Sequence, residues 1–226
     1  MRLFVALDIP EPVRREVRRR MAGLRERLPR ARWVNPDVLH LTLLFLGEVP
    51  ADGVGALADR LRDAVAPFPA MGLRLAGAGT FPAGRPARVA WLGVAAPPDI
   101  VPLQAAVAAA AREALGLPGA SATSGERPYR PHVTLARCPS PWPRGAAEKF
   151  AAAFPGETGP PFVAARGVLV ESKLSPQGPR YRELAALPLA GAADPAGAAG
   201  AAGIVDPADT VPAAGVAVDR DSGTGR

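Results

Sequence analysis

The chain has 226 residues, 48% hydrophobic and 21% charged, with a formal net charge of +6. That is a globular composition with enough apolar surface for a real core, in one domain of two lobes or in two small domains. No apolar run reaches the ~20 residues that span a bilayer, MRLFVALDIP is too short and too soon charged for a signal peptide, and the lone Cys138 excludes a disulfide framework or a CxxC metal knuckle, so a reducing cytoplasm is the expected compartment.

Read in chain order, RLFVALDI at 2–9 is a weakly alternating strand rich in β-formers. Asp8 and Pro10 introduce a helix expected over Glu11–Leu28, with Val13, Val17, Met21, Leu24 and Leu28 on one face. ARWV and VLHLTLLFLG read as strands, followed by a helix over about 52–66 with Leu57, Leu61 and Val65 on one side. GLRLAGAGTF and ARVAWLGV flank the turn-rich PAGRP as a hairpin, and AGAG lacks the GKS/T ending of a phosphate-binding loop, so its glycines read as strand and bulge positions.

An Ala-rich helix is expected over 99–115, then a polar loop that delivers HVTLARC as a strand, then a short helix over 145–154. FVAARGVLVESKL and RYRELAALPL close the fold as a hairpin around SPQGP. Hairpins and adjacent strand pairs predict mostly antiparallel sheets with helices against them, an α+β architecture in which each lobe contributes one HxTL strand. From Ala190 the chain becomes Ala/Gly/Pro-rich and contains no aromatic residue, so 1–189 is expected to fold and 190–226 to be a disordered low-complexity tail.

Of the 27 basic residues, Lys appears only at Lys149 and Lys173; the rest are Arg, as a GC-rich coding bias would produce. The tail carries five Asp and two Arg, net −3, which leaves +9 on residues 1–189. An Arg-rich solvated surface accounts for this as well as RNA binding does.

The two histidines of the chain are more telling. His40 opens HLTLLFLG and His132 opens HVTLAR. On a strand, alternate side chains share a face, so His40 and Thr42 point one way while Leu41 and Leu43 point into a core; His132 and Thr134 repeat this. With seven Thr in the chain, a Thr two residues after both His is a coincidence of about 1 in 1000. A zinc site needs three or four ligands, and two His with one Cys fall short without a carboxylate that neither motif supplies. No GxSxG marks a nucleophilic serine. Two imidazoles across a cleft suit concerted acid–base work near neutral pH, with Thr hydroxyls donating to phosphate oxygens.

HLTLLFLGEV and RPYRPHVTLARC, together with RLFVALDIP, GAGTFPAGRPARVAWLGV and LVESKLSPQGPRYREL, resemble the paired HxTx motifs and flanks of the two-histidine phosphoesterases, and within them the RNA 2′,3′-cyclic phosphodiesterases historically called 2′-5′ RNA ligases. The resemblance covers about residues 1–189. It implies two pseudosymmetric lobes facing across a cleft, and hydrolysis of RNA-terminal 2′,3′-cyclic phosphate to a 2′-phosphate without metal or cofactor. By motif position it implies His40 as proton donor, His132 as proton acceptor, and Thr42 and Thr134 as holders of the phosphate oxygens. Arg137 would supply fixed charge, Phe45 would stack on the terminal base, and Arg130 would touch the RNA backbone. Arg137 and Phe45 each stand five residues past a histidine, which in a straight strand puts them off the histidine face. The expected partner is an RNA end, tRNA halves included, acted on by a monomer. Reversible 2′-5′ ligation, turnover of small cyclic nucleotides such as ADP-ribose cyclic phosphate, and an RNA-end-binding module without turnover are the competing readings.

Overall fold

A computed structural model describes residues 1–83, 85–116, 128–175 and 178–191. Nine strands and four α-helices follow in the order β1 (Arg2–Asp8), α1 (Glu11–Ala22), β2 (Arg32–Trp33), β3 (His40–Glu48), α2 (Val54–Val65), β4 (Met71–Phe81), β5 (Ala87–Ala95), α3 (Ile100–Ala114), β6 (His132–Trp142), α4 (Arg144–Ala152), β7 (Glu157–Ala164), β8 (Arg166–Ser175) and β9 (Gly178–Pro188). They form two sheets whose pairings are antiparallel throughout, ordered β3-β1-β8-β9 and β2-β6-β5-β4-β7. The α+β architecture with one HxTL strand per sheet is therefore as expected: His40 starts β3 and His132 starts β6.

The weak alternation of RLFVALD has a cause. β1 lies inside its sheet, with Leu3, Val5 and Leu7 in the main core and Phe4 and Ala6 in a second apolar cluster with Val38, Val168 and Val170 on the opposite face. A strand covered on both sides has no polar face to alternate.

Two expected elements differ. The first helix stops at Ala22 rather than Leu28, yet Leu24 and Leu28 are buried all the same. Gly23 ends the helix, and turns in which Arg27 and Leu28 N–H both reach the Leu24 carbonyl (3.1 Å each) keep the apolar stripe in register. FVAARGVLVESKL is not one strand. β7 ends at Ala164 beside β4 and β8 begins at Arg166 beside β1, so the chain changes sheets at Ala165. Residues 176–177 of the SPQGP turn, most of the loop ahead of His132, and the tail from 192 onward fall outside the described residues. The fold reaches Ala190, whose N–H donates to the Phe68 carbonyl at 2.7 Å.

In AGAG, the β4–β5 register skips between Leu75 and Ala78, with Gly77 at φ 70°, a true bulge. A Cβ on Gly79 would lie 2.5 Å from the Trp91 ring, so the absence of a side chain there is what lets that indole lie flat on the sheet.

Candidate active site

The two histidine strands share a local irregularity that decides what their faces present. In β3, Thr42 pairs with Ala6 and Leu44 with Val5, so Leu43 is an extra residue. In β6, Thr134 pairs with Trp91 and Ala136 with Ala90, so Leu135 is extra. Each bulge reverses the alternation beyond it. Leu43 and Leu44 are both buried, as are Leu135 and Ala136. Phe45 and Arg137, five residues past their histidines, thereby arrive on the histidine face. The inserted residue is what brings Arg137 back from the off-face position of a straight strand. The same shift turns Cys138 away: six residues past His132, it would share the histidine face in a straight strand, but it is buried on the core side.

Both imidazoles are held alike. His40 Nδ1–H donates to the Val38 carbonyl at 2.9 Å and His132 Nδ1–H to the Arg130 carbonyl at 2.7 Å. A carbonyl only accepts, so in each neutral ring the proton sits on Nδ1 and Nε2 carries the lone pair available for chemistry.

Their surroundings differ. His40 stacks on Phe4 with centroids 4.7 Å apart and meets Tyr181 edge-on at 5.4 Å. Burial lowers its pKa from the ordinary 6.5 to about 4, against the Val38 hydrogen bond, and Arg137 pushes the same way. His132 meets Phe81 edge-on at 5.2 Å and Trp91 at 6.1 Å. Its pKa is lowered too, first by burial and then by the charges of Arg137 and Arg130, against the Arg130 carbonyl. Arg137 also acts on Tyr181 of the other sheet. The Arg137 charge is thus felt by both imidazoles and by Tyr181.

Thr42 and Thr134 are half-buried beside their histidines. Phe45 is 51% exposed, a large aromatic left at the surface next to Phe4, ring centroids 6.0 Å apart. Arg130 lies over the Trp91 ring, 5.9 Å from its centroid, a cation–π arrangement. Every sequence-predicted site residue therefore lies on or beside the two strands. Among the described residues no three His, Cys, Asp or Glu side chains gather. A hollow of about 500 Å³ bounded by Gly72, Arg74, Ala95 and Val163 contains none of the site residues.

Five aromatics went unrecognised from sequence: Phe4, Phe81, Trp91, Tyr129 and Tyr181. Rarity was the signal available, because both tyrosines of the chain touch this region. Tyr129 O–H donates to the Thr42 carbonyl at 2.9 Å, tying the segment that enters β6 to the strand that carries His40. Burial raises its pKa, so it stays a donor across the physiological range.

Comparison with known proteins agrees with this geometry. Residues 10–163 match the model of the 2′-5′ RNA ligase superfamily. The chain is 37% identical over 196 residues to the RNA 2′,3′-cyclic phosphodiesterase of Thermus thermophilus, covering 84% of this chain and 91% of that one. It is 31% identical over 186 residues to the protein of the same name from Thermotoga maritima, covering 81% and 93%. A solved structure from Thermus thermophilus superposes with a TM-score of 0.70 at 30% identity, covering 84% of this chain and 98% of that one. Escherichia coli LigT in complex with 3′-AMP superposes at 0.63 with 27% identity, covering 83% and 97%. Two bulged HxT strands in contact, in a chain matched along most of its length, make this protein a member of the 2′-5′ RNA ligase superfamily, alongside the RNA 2′,3′-cyclic phosphodiesterases.

Proposed function

We propose that the protein hydrolyses the 2′,3′-cyclic phosphate at an RNA end to a 2′-phosphomonoester, by general acid–base catalysis between His40 and His132 and with no metal. His132 Nε2 takes a proton from water as that water attacks phosphorus. The P–O3′ bond breaks and His40 Nε2–H protonates the departing 3′ oxygen. Thr42 and Thr134 donate to the non-bridging oxygens, and Arg137 balances the charge that builds on them. Phe45 stacks on the terminal base, a contact tolerant of sequence, and Arg130 lies near the RNA backbone.

The observation that carries this reading is geometric: β3 and β6 touch, each begins with a histidine whose Nδ1–H is held by a backbone carbonyl, and both Nε2 atoms are thereby left for chemistry within reach of the Arg137 charge. In the free protein that positive charge helps keep both histidines neutral. A bound phosphate cancels it and draws a proton onto one ring, so the acid form is made by the substrate. The order of the two motifs, as in the family the chain resembles, assigns His40 as the donor and His132 as the acceptor.

The test is an oligoribonucleotide ending in 2′,3′-cyclic phosphate, with the product identified. Formation of the 2′-phosphate supports the reading. A 3′-phosphate, an intact substrate, or joining to a 5′-hydroxyl RNA with no hydrolysis would sink it. The profile of kcat/KM against pH, which reports the free protein, should peak below pH 6.5 because both histidine pKa values are lowered; a peak above pH 8 contradicts the assignment.

A further inference from the structure

β2 is two residues long, yet it sets a charge in a telling position. Arg32 pairs directly with Arg137 and Trp33 with Ala136. Trp33 faces the core, its ring 6.0 Å from that of Trp142 and 6.5 Å from that of Phe150. Alternation then forces Arg32 onto the opposite face, the one that carries Arg137, Thr134 and His132. The pairing continues with Val34 N–H donating to the Leu135 carbonyl at 2.9 Å, which fixes the register across the bulge.

Two arginines abreast on neighbouring strands repel, and like charges directly opposite destabilise a sheet. Among the described residues neither guanidinium has a carboxylate partner, although the half-buried Arg18 and the exposed Arg19 on α1 do. Arg32 is exposed at the rim of the sheet. The preceding residues run beside the far end of β6, where Trp142 Nε1–H donates to the Pro29 carbonyl at 3.0 Å. Arg30, exposed and two residues earlier, extends the positive rim away from His132.

We propose that Arg32 is the binding residue for the phosphate immediately upstream of the reacting end, so that RNA leaves the catalytic cleft across the β6–β2 rim, past Arg137 and Arg32 and toward Arg30. This rests on the cyclic-phosphate reading and adds a specificity determinant to it. Two guanidiniums side by side then serve two successive phosphates, and the repulsion between them is relieved when RNA binds. A nucleoside 2′,3′-cyclic phosphate lacks the upstream phosphate and gains nothing from Arg32, so the site favours oligonucleotides over mononucleotides.

The experiment compares two ligands on wild type, Arg32→Ala, Arg32→Glu and Arg32→Lys. A fluorescently labelled tetraribonucleotide ending in 2′-phosphate is followed by anisotropy, and a nucleoside 2′-monophosphate competes against it. Losing one charge-assisted contact should weaken the tetranucleotide about tenfold in Arg32→Ala, more in Arg32→Glu and less in Arg32→Lys. The ratio of the two affinities should shrink accordingly. The log–log salt slope for the tetranucleotide should become shallower by about one. Equal weakening of both ligands, or no change in either the ratio or the slope, overturns the proposal. Binding is read without turnover, so a wild type that fails to hydrolyse the cyclic substrate counts against the activity and leaves this inference to stand or fall on the anisotropy.

Discussion

The two histidine strands begin with the same three-letter pattern and end in different chemistry. β3 sets His40 against Phe4 and Tyr181 and places the aromatic Phe45 further along the same face. β6 sets His132 at the edges of Phe81 and Trp91 and places the cationic Arg137 at the matching position. The backbone solution is shared: a carbonyl two residues back holds each Nδ1–H, and one inserted residue follows each Thr. The two halves differ in what surrounds the ring, not in how the ring is mounted.

The sharpest way to break that comparison is to remove one ring. His40→Ala and His132→Ala should each lower turnover ~100-fold or more, the usual scale of a general acid or base, while melting temperature shows that the fold survives. If either variant keeps near-normal turnover, that half of the pair has no proton-transfer role. Arg137→Ala comes next. It should raise KM and move both limbs of the kcat/KM profile toward higher pH, since its charge lowers both histidine pKa values. An unchanged profile separates Arg137 from the rings. Phe45→Ala removes a stacking surface worth about 1–3 kcal/mol per base and should appear chiefly in KM; a loss confined to kcat contradicts stacking.

A fourth test uses stability. Folded His40 refuses a proton that the unfolded chain accepts between pH 6.5 and about 4. Its contribution is therefore complete above pH 6.5 and is lost as pH falls through that window. The melting temperature of wild type should drop on acidification across it, and His40→Gln should flatten part of the drop. A variant that melts in parallel with wild type would falsify the buried-neutral state of His40. The smallest expected effect is that of EDTA, which should leave the rate unchanged; a loss restored by zinc would replace the two-histidine mechanism with a metal one.

Much of this was legible in the sequence because strand alternation is local. HLTL and HVTL each announced a polar face and a core face, and the burial of Leu41, Leu43, Val133 and Leu135 follows. The positions of Phe45 and Arg137 were not legible from alternation, since a bulge is set by the partner strand: whether Leu43 or Leu135 is skipped depends on Val5 and Ala90 across the ladder. The change of sheet at Ala165 was hidden for a similar reason, as a β-rich run reads the same whether one sheet or two receives it. Arg32 was lost among many arginines until its pairing with Arg137 distinguished it. The aromatic supports come from strands remote in sequence, and only the assembled sheets bring them to the rings.

The inserted residue in each strand has an evolutionary consequence. Because Leu43 and Leu135 absorb the change of phase, the side chain two places later stands on the histidine face while the leucines keep the core filled. A half-site built this way can carry Phe or Arg at that position and acquire a different chemical role while Leu43 or Leu135 and the core behind it stay in place. Transposing the pair, Phe45→Arg with Arg137→Phe, would ask whether the two halves can trade their jobs.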